Sequence, residues 1–395
     1  MTIKPVDYIP FINSAKDCEL TGQLYGDAVA VRVSLECAAK TSALCPTGPK
    51  KWLDGGVDAL DERNLQKLSS AYQDHFNRFP NSAQIADTQF QAKPNKGTVQ
   101  TFVNSVLNEC AKYGPNWISV PQLPMLDDSS RNKINRALAE STRVWKEARP
   151  DSADLILPVI FTNQKQILKK TERNKKLAAA MNSYSASGAS GVWMVDASLS
   201  DQNGTSTFDK RFAALRNLHE ELNALLPERA FTIGGPYWGM NIVLWARQLS
   251  SFAAIGLGNS YKYNIPGTPM QAGNVRIALP SLRRWATASA KLKQWLATSV
   301  SKLAPGDKAI TEFQDLEKNF SKMLVQANGR VQIASFYKSW FGKFASLPAS
   351  GRALALYQDL SSAYVLGSTL PDLPDDEKTS RKPGRVAQQL MLNCL

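Results

Sequence analysis

Apolar positions along this chain fall into short runs separated by longer amphipathic stretches, and that alternation predicts the elements. Ala28-Val29-Ala30-Val31-Arg32-Val33 reads as a strand. Lys51-Trp52-Leu53 is a second, closing on Asp54-Gly55-Gly56. From residue 101 the rhythm is regular. Thr101 to Ala111 sets Phe102, Val103, Val106 and Leu107 at helical spacing, and Trp117 to Val120 is a strand. Arg131 to Glu147 is a helix with Ile134, Leu138 and Trp145 on one face. Leu155 to Phe161 is a strand, Leu168 to Tyr184 a helix, Val192 to Val195 a strand and Phe208 to Leu226 a helix. Phe231 to Ile233, Met240 to Leu249 and Phe252 to Leu257 then read as strand, helix, strand. Strands alternating with helices of this length argue for parallel βαβ units. Each run ends in a polar or glycine-rich turn, which favours closure over an open sheet. The expectation is an α/β protein, a (β/α)8 TIM-type barrel with a helical C-terminal extension, and 395 residues suit that plan.

The remaining stretches are less regular. Residues 80–100 are polar with little core signal and predict a long loop or insertion. Leu282 to Leu366 reads as largely helical. Leu282, Trp285, Leu292 and Trp295 recur at helical intervals, with Arg283, Arg284, Lys291 and Lys293 interleaved. Such a helix either packs with a solvated basic side or offers a polyanion-binding face. Pro371 to Pro383 is charged and proline-bearing. Two regions follow: a barrel over 1–265 with an insertion near 80–100, and a basic helical region over 266–395 that completes or flanks it, with 371–395 mobile.

Net charge is +13, and residues 266–395 carry 17 Lys and Arg against 9 Asp and Glu. That excess suits a generally basic surface, a polyanion or an acidic protein partner. Cys18, Cys37, Cys45, Cys110 and Cys394 are scattered without a CxxC pair, and His75 and His219 are the only histidines. No zinc-type ligand set is expected, nor a cofactor. Both histidines read as packing or surface residues. The N-terminus lacks a signal-peptide apolar stretch, and no run approaches the roughly 18 apolar residues of a membrane helix. A cytoplasmic protein with free thiols and no membrane partner is expected.

Candidate chemistry sits at the strand ends, where barrel proteins gather their ligand-binding groups. Asp54 precedes two glycines; a carboxylate there can accept two N–H bonds from a heterocyclic base or act as general base, or it can simply cap the turn. Gln122, Asn163 and Gln164 offer donor and acceptor together, as base reading requires, and equally suit ordinary loops. Asp196 closes the run Gly191-Val192-Trp193-Met194-Val195. After Phe231-Thr232-Ile233 come Gly234 and Gly235, which let backbone approach a ligand, and Tyr237 and Trp238, which could cover a flat ring or pack the lip. A second such turn is Gly258-Asn259-Ser260-Tyr261. There is no P-loop, no GxGxxG after a strand and no GxSxG elbow.

Over roughly residues 50–265 this order of turns resembles the tRNA-guanine transglycosylase family, TIM barrels that exchange a guanine for a 7-deazaguanine. Leu53-Asp54-Gly55-Gly56 is similar to the family's Asp-Ser-Gly-Gly turn, without the serine. Val120-Pro121-Gln122 falls where the family has a base-reading Phe-Asp-Glu turn, and Asn132 to Trp145 is similar to the helix that follows it. Phe161-Thr162-Asn163-Gln164 matches a Gly-Ile-Gln-Gly strand end, Met194 to Ala197 an Ile-Gly-Gly-Leu turn, and Phe231 to Gly235 a Tyr-Leu-Met-Gly-Val-Gly turn. Two departures stand out. The family's nucleophilic aspartate would fall within Phe252-Ala253-Ala254-Ile255, where no acid occurs, and its Cys/His zinc site has no counterpart. The resemblance therefore points to the divergent transglycosylase-like proteins of bacterial anti-phage (type IV CBASS) operons. It implies a glycosyltransferase with an altered site, or a binding module that has lost catalysis. Asp54 and Asp196 would be catalytic; Gln122, Asn163, Gly234, Gly235, Tyr237 and Trp238 would bind the base. The partners implied are a 7-deazaguanine-type base and either a protein, such as a cyclic-oligonucleotide synthase, or a nucleic acid. A plain nucleic-acid-binding role for the basic C-terminal region is the competing reading.

Overall fold

Eight apolar runs become the parallel strands of one closed barrel. The computed structural model describes the chain apart from residues 1–5, 62–67, 127, 164, 200–205, 258–262, 264, 266–274 and 378–379. The strands are β1 (Tyr8–Ile12), β2 (Ala30–Ser34), β3 (Lys50–Asp54), β4 (Trp117–Ser119), β5 (Asp154–Phe161), β6 (Gly191–Asp196), β7 (Phe231–Gly234) and β8 (Phe252–Gly256). Each pairs in parallel with the next, and β8 closes on β1 from Tyr8 opposite Ala253 to Phe11 opposite Gly256. This is the expected (β/α)8 TIM-type architecture. β1 alone was not separable in the pattern, because Pro10 interrupts it. Phe11, Trp52 and Trp193 fill the lumen edge-on to one another, with ring centroids 5.3 to 5.7 Å apart. The barrel interior is thus a packed core and not a pore.

The helices packed around it are α1 (Ala15–Leu24), α2 (Lys96–Ala111), α3 (Ser129–Glu147), α4 (Lys170–Ser187), α5 (Ser206–Leu225) and α6 (Met240–Ala246). They follow β1, β3, β4, β5, β6 and β7; only short helical turns over Leu35–Leu44 follow β2. Side-chain caps fix where three of them start. Ser14, Asn95 and Asp128 accept from the backbone N–H of Asp17, Thr98 and Ser130. Beyond β8 come the strands β9 (Arg276–Leu279) and β10 (Arg284–Thr287), then α7 (Ala290–Val300), α8 (Lys308–Lys318), α9 (Gln326–Ala345), α10 (Ala349–Thr369) and α11 (Arg385–Met391). The helix that completes the ring is α9. The Tyr25 hydroxyl donates to the Ala334 carbonyl at 2.8 Å, and Phe341 packs on Tyr8 and Trp245 at 5.4 and 4.3 Å. So α9 lies between the β1 and β7 sectors. The hairpin, α7 and α8 enclose a second, smaller core of Leu279, Leu292, Trp295 and Phe313.

Three expectations need correction. Residues 80–100 are not a loop: Ser82–Ala86, Thr88–Ala92 and the start of α2 are helical. The buried Gln91 amide binds the carbonyls of Ile85 and Ala86, and Ile85 is fully buried, which stabilises helices too short to stand alone. Leu282 and Trp285 do not belong to a helix with Leu292 and Trp295. They sit in and beside an antiparallel hairpin in which Arg284 faces Leu279, joined by the turn at Pro280–Leu282. Three of the four basic residues interleaved there are already engaged. Arg283 pairs with Asp359 at 2.6 Å, Lys291 pairs with Asp375 at 2.7 Å, and buried Arg284 donates to the carbonyls of Ser380 and Lys382. This removes much of the argument for a polyanion-binding helix. Finally, the tail expected to be mobile is docked. Leu373 is fully buried, its N–H bonds the Arg381 carbonyl, and Glu377 accepts from the Thr287 N–H at 2.7 Å.

Candidate functional site at the barrel mouth

A charged residue inside the apolar run of β2 organises the C-terminal end of the barrel. Arg32 is fully buried, yet every face of its guanidinium has a partner. Nε donates to Asp54 Oδ2 at 2.7 Å, Nη2 donates to the same oxygen, and Nη1 reaches Asn13 Oδ1 at 3.3 Å. Its carbon lies 4.6 Å from the Phe11 ring centroid and 5.2 Å from that of Trp193. Burial pulls its pKa down; Asp54, then Tyr263 and Asp58, outweigh burial and hold it above the ordinary value. A desolvated cation is tolerable only with such partners.

The Asp-Gly-Gly turn places Asp54. Its Oδ1 accepts from the Gly56 N–H at 3.1 Å. Gly56 has φ +65°, and a Cβ on Gly55 would lie 2.7 Å from Val106 Cγ1 of α2, so both glycines are required by shape. His75 braces the turn: Nε2–H donates to the Gly55 carbonyl at 3.3 Å, and Arg78 donates to Nδ1 at 3.0 Å. Burial, then Arg78, pushes the His75 pKa down to about 4.

One turn later, Asp58 also faces the lumen. Its Oδ2 accepts the Tyr263 hydroxyl at 2.5 Å. Burial, and next the charge of Asp54, push the Asp58 pKa up to about 7; Tyr263 and Arg32 pull the other way. Tyr263 stands edge-on to Trp193 at 4.9 Å, and burial drives its own pKa well above the ordinary range. The space left beside Asp54, Asp58, Ser119, Gln122 and Trp193 is about 10 Å³, room for about one water.

The other residues singled out from sequence scatter. Gln122 borders this space, but its amide turns toward α3, donating to the carbonyls of Pro121 and Asn135 at 2.8 and 2.9 Å. Asn163 is exposed on the rim, its N–H on Gln166 Oε1. Gln164 and the Gly258 to Tyr261 turn lie outside the described residues. Asp196 is buried but points outward from β6: it pairs with Arg211 of α5 at 2.9 Å and accepts from the Ser198 N–H and hydroxyl at 2.9 and 2.5 Å. It therefore does not share a pocket with Asp54. The Tyr237 hydroxyl accepts the Asp196 N–H at 2.7 Å and so belongs to that outer cluster. Gly235 contributes its carbonyl to Trp193 Nε1 at 2.7 Å, while Gly234 abuts Ser250 and His219 behind the strand. Trp238 does not cover the mouth; it donates to the Arg283 carbonyl and packs on Phe336, Tyr337 and Trp340 of α9. β8 carries no acid.

Sequence reasoning missed Arg32, Asn13, Asp58 and Tyr263. Only Arg32 had a signal, a cation in the middle of an apolar run. Among the described residues no cluster of three or more His, Cys, Asp or Glu could hold a metal, and no helix is long and apolar enough to cross a membrane. No protein-family model matches the chain, and no curated protein matches it.

Proposed function

We propose that this barrel is a transglycosylase-like enzyme that binds a 7-deazaguanine-type base at its C-terminal mouth and transfers it to a macromolecular substrate, with Asp54 and Asp58 as its two working carboxylates. The observation that carries this reading is the pair itself. Asp54 is held as the partner of Arg32, while Asp58 is driven toward its protonated form by burial and by Asp54. A carboxyl group driven toward its protonated form, beside one paired with a guanidinium, suits glycosidic chemistry, the first as acid and the second as nucleophile. In the first half-reaction a carboxylate oxygen of Asp54 bonds to the sugar C1′ as the C1′–N bond breaks, and Asp58 gives its proton to the departing base. In the second, the incoming base loses an N–H proton to Asp58 and attacks C1′, releasing Asp54. The role that sequence reading gave to Asp196 falls to Asp58, because only Asp58 shares the lumen with Asp54.

The competing reading, a binding module that has lost catalysis, is favoured by β8, Phe252–Gly256, which carries no acid where the resembled family has its nucleophile. Two measurements separate them. Calorimetry with 7-deazaguanine tests binding, and mass spectrometry of nucleic acid and protein from a host extract, incubated with the enzyme and labelled base, tests transfer. Asp58→Asn is expected to slow transfer of bound base by roughly 10² to 10⁴, the contribution of a positioned acid. Binding without any transfer by the wild type leaves the module. Neither binding nor transfer removes the transglycosylase reading. The defence setting comes from the resemblance, and a 7-deazaguanine-synthase gene beside this one is the observation that tests it.

A further inference from the structure

Phe11, Arg32, Trp52, Asp54 and Trp193 all belong to barrel strands, but Tyr263, which meets Phe11, Arg32 and Trp193, lies beyond β8. We infer that the phenol of Tyr263 occupies a built ring slot at the barrel mouth, and that a flat heterocycle with N–H donors on one edge binds there by replacing it.

The contacts of this ring are those a planar ligand would need. Trp193 and Phe11 present to it at 4.9 and 6.4 Å with interplanar angles of 84° and 85°. The Arg32 guanidinium carbon lies 5.7 Å from its centroid. Its hydroxyl donates to Asp58 at 2.5 Å, beside a second carboxylate at Asp54. A base of the guanine type carries two adjacent N–H donors, and the pair of carboxylates could accept both where the phenol satisfies one. Tyr263 is 4% exposed, and the unfilled space next to the carboxylates holds about one water. With the phenol in place the slot is therefore full, and a ligand larger than water must compete with it. Apparent affinity is then the intrinsic affinity scaled down by the fraction of molecules whose slot is free. The slot rests on the geometry; naming its ligand a deazaguanine-type base rests on the proposed function above.

Tyr263→Ala tests both and tells them apart. Thermal shift and calorimetry are run on full-length wild type and variant with two probes, p-cresol and 7-deazaguanine. p-Cresol reproduces the deleted side chain, both its ring and the hydroxyl that bonds Asp58. The expected result is p-cresol binding by the variant and not by the wild type, with 7-deazaguanine at least about tenfold tighter in the variant. If p-cresol binds and the base binds neither protein, the slot stands and the base reading falls. A folded variant, by circular dichroism and gel filtration, that takes up neither probe overturns the inference. So does one that binds the base more weakly than wild type. Should Tyr263→Ala not fold, Tyr263→Val replaces it in both arms with the same outcomes, since valine leaves most of the ring's volume open and cannot bond Asp58.

Discussion

Asp54 and Asp196 look alike in the sequence, each an acid closing an apolar run, and strand parity sends them to opposite faces. Trp52 and Trp193 both stand in the lumen, their ring centroids 5.5 Å apart. Asp54 lies two residues beyond its tryptophan and shares that face; Asp196 lies three beyond and faces the helices. The spacing was legible, but its anchor was not, because both faces of a parallel barrel strand are apolar and a tryptophan suits either. Arg32 follows the same logic: one cation in a buried run announces a partner without naming it. The pairing has an energetic consequence. Asp54→Ala would leave Arg32 desolvated without its carboxylate, and is expected to cost about 3–5 kcal/mol of unfolding free energy. The double variant Arg32→Met, Asp54→Leu should lose far less, because neither charge remains to be compensated. Urea unfolding of both measures this, and an Asp54→Ala variant within about 1 kcal/mol of wild type would mean the guanidinium is not held by that carboxylate.

At the scale of elements, the segment 101–257 was readable because each helix there buries one clear face, as Ile134, Leu138 and Trp145 do in α3. Two stretches misled for physical reasons. In 276–295 a tryptophan spacing compatible with one helix spans a hairpin and the helix after it. Pro280 was the available breaker, and Arg283 at φ +54° completes the turn. In 80–100 the core signal is weak because a buried amide, Gln91, does part of the holding. The element that matters most for the site is the turn after β3. Its glycines differ in what they supply, Gly56 a left-handed backbone and Gly55 the absence of a side chain against α2. Gly56→Ala should therefore cost about 1–2 kcal/mol through backbone strain alone. Gly55→Ala should cost more, since Val106 stands in the way. Thermal unfolding of the two checks that order, and equal stabilities would show that the turn relaxes freely.

Across the whole molecule, ring closure could not be read locally, because α9 reaches the barrel only after the hairpin, α7 and α8 have formed their own core. The assembled barrel also buries ionisable groups that the unfolded chain exposes, and this sets how stability responds to pH. Burial holds His75 and His219 neutral, with pKa values pushed down to about 4. Between about pH 6.5 and 4 the unfolded chain binds a proton at each while the native state does not, so stability falls as pH falls, by up to about 3 kcal/mol per group. Asp58 works the other way. Its native pKa is pushed up to about 7 from 3.8, so over that window the native state holds the extra proton and stability rises as pH falls. Glu312, also raised by burial, adds to that side. Comparison of variants isolates each group. His219→Leu, whose lost bond to the Leu249 carbonyl is covered by Asn223 at 3.0 Å, should flatten the acid-side decline by about 1.4 kcal/mol per pH unit. Asp58→Asn should steepen it by a similar amount. Urea midpoints from pH 7 down to pH 4.5 measure both slopes. Parallel curves for wild type and Asp58→Asn would show that Asp58 titrates as an ordinary carboxylate. The acid step in the proposed transfer would then lose its donor, so a stability measurement reaches the mechanism without any substrate in hand.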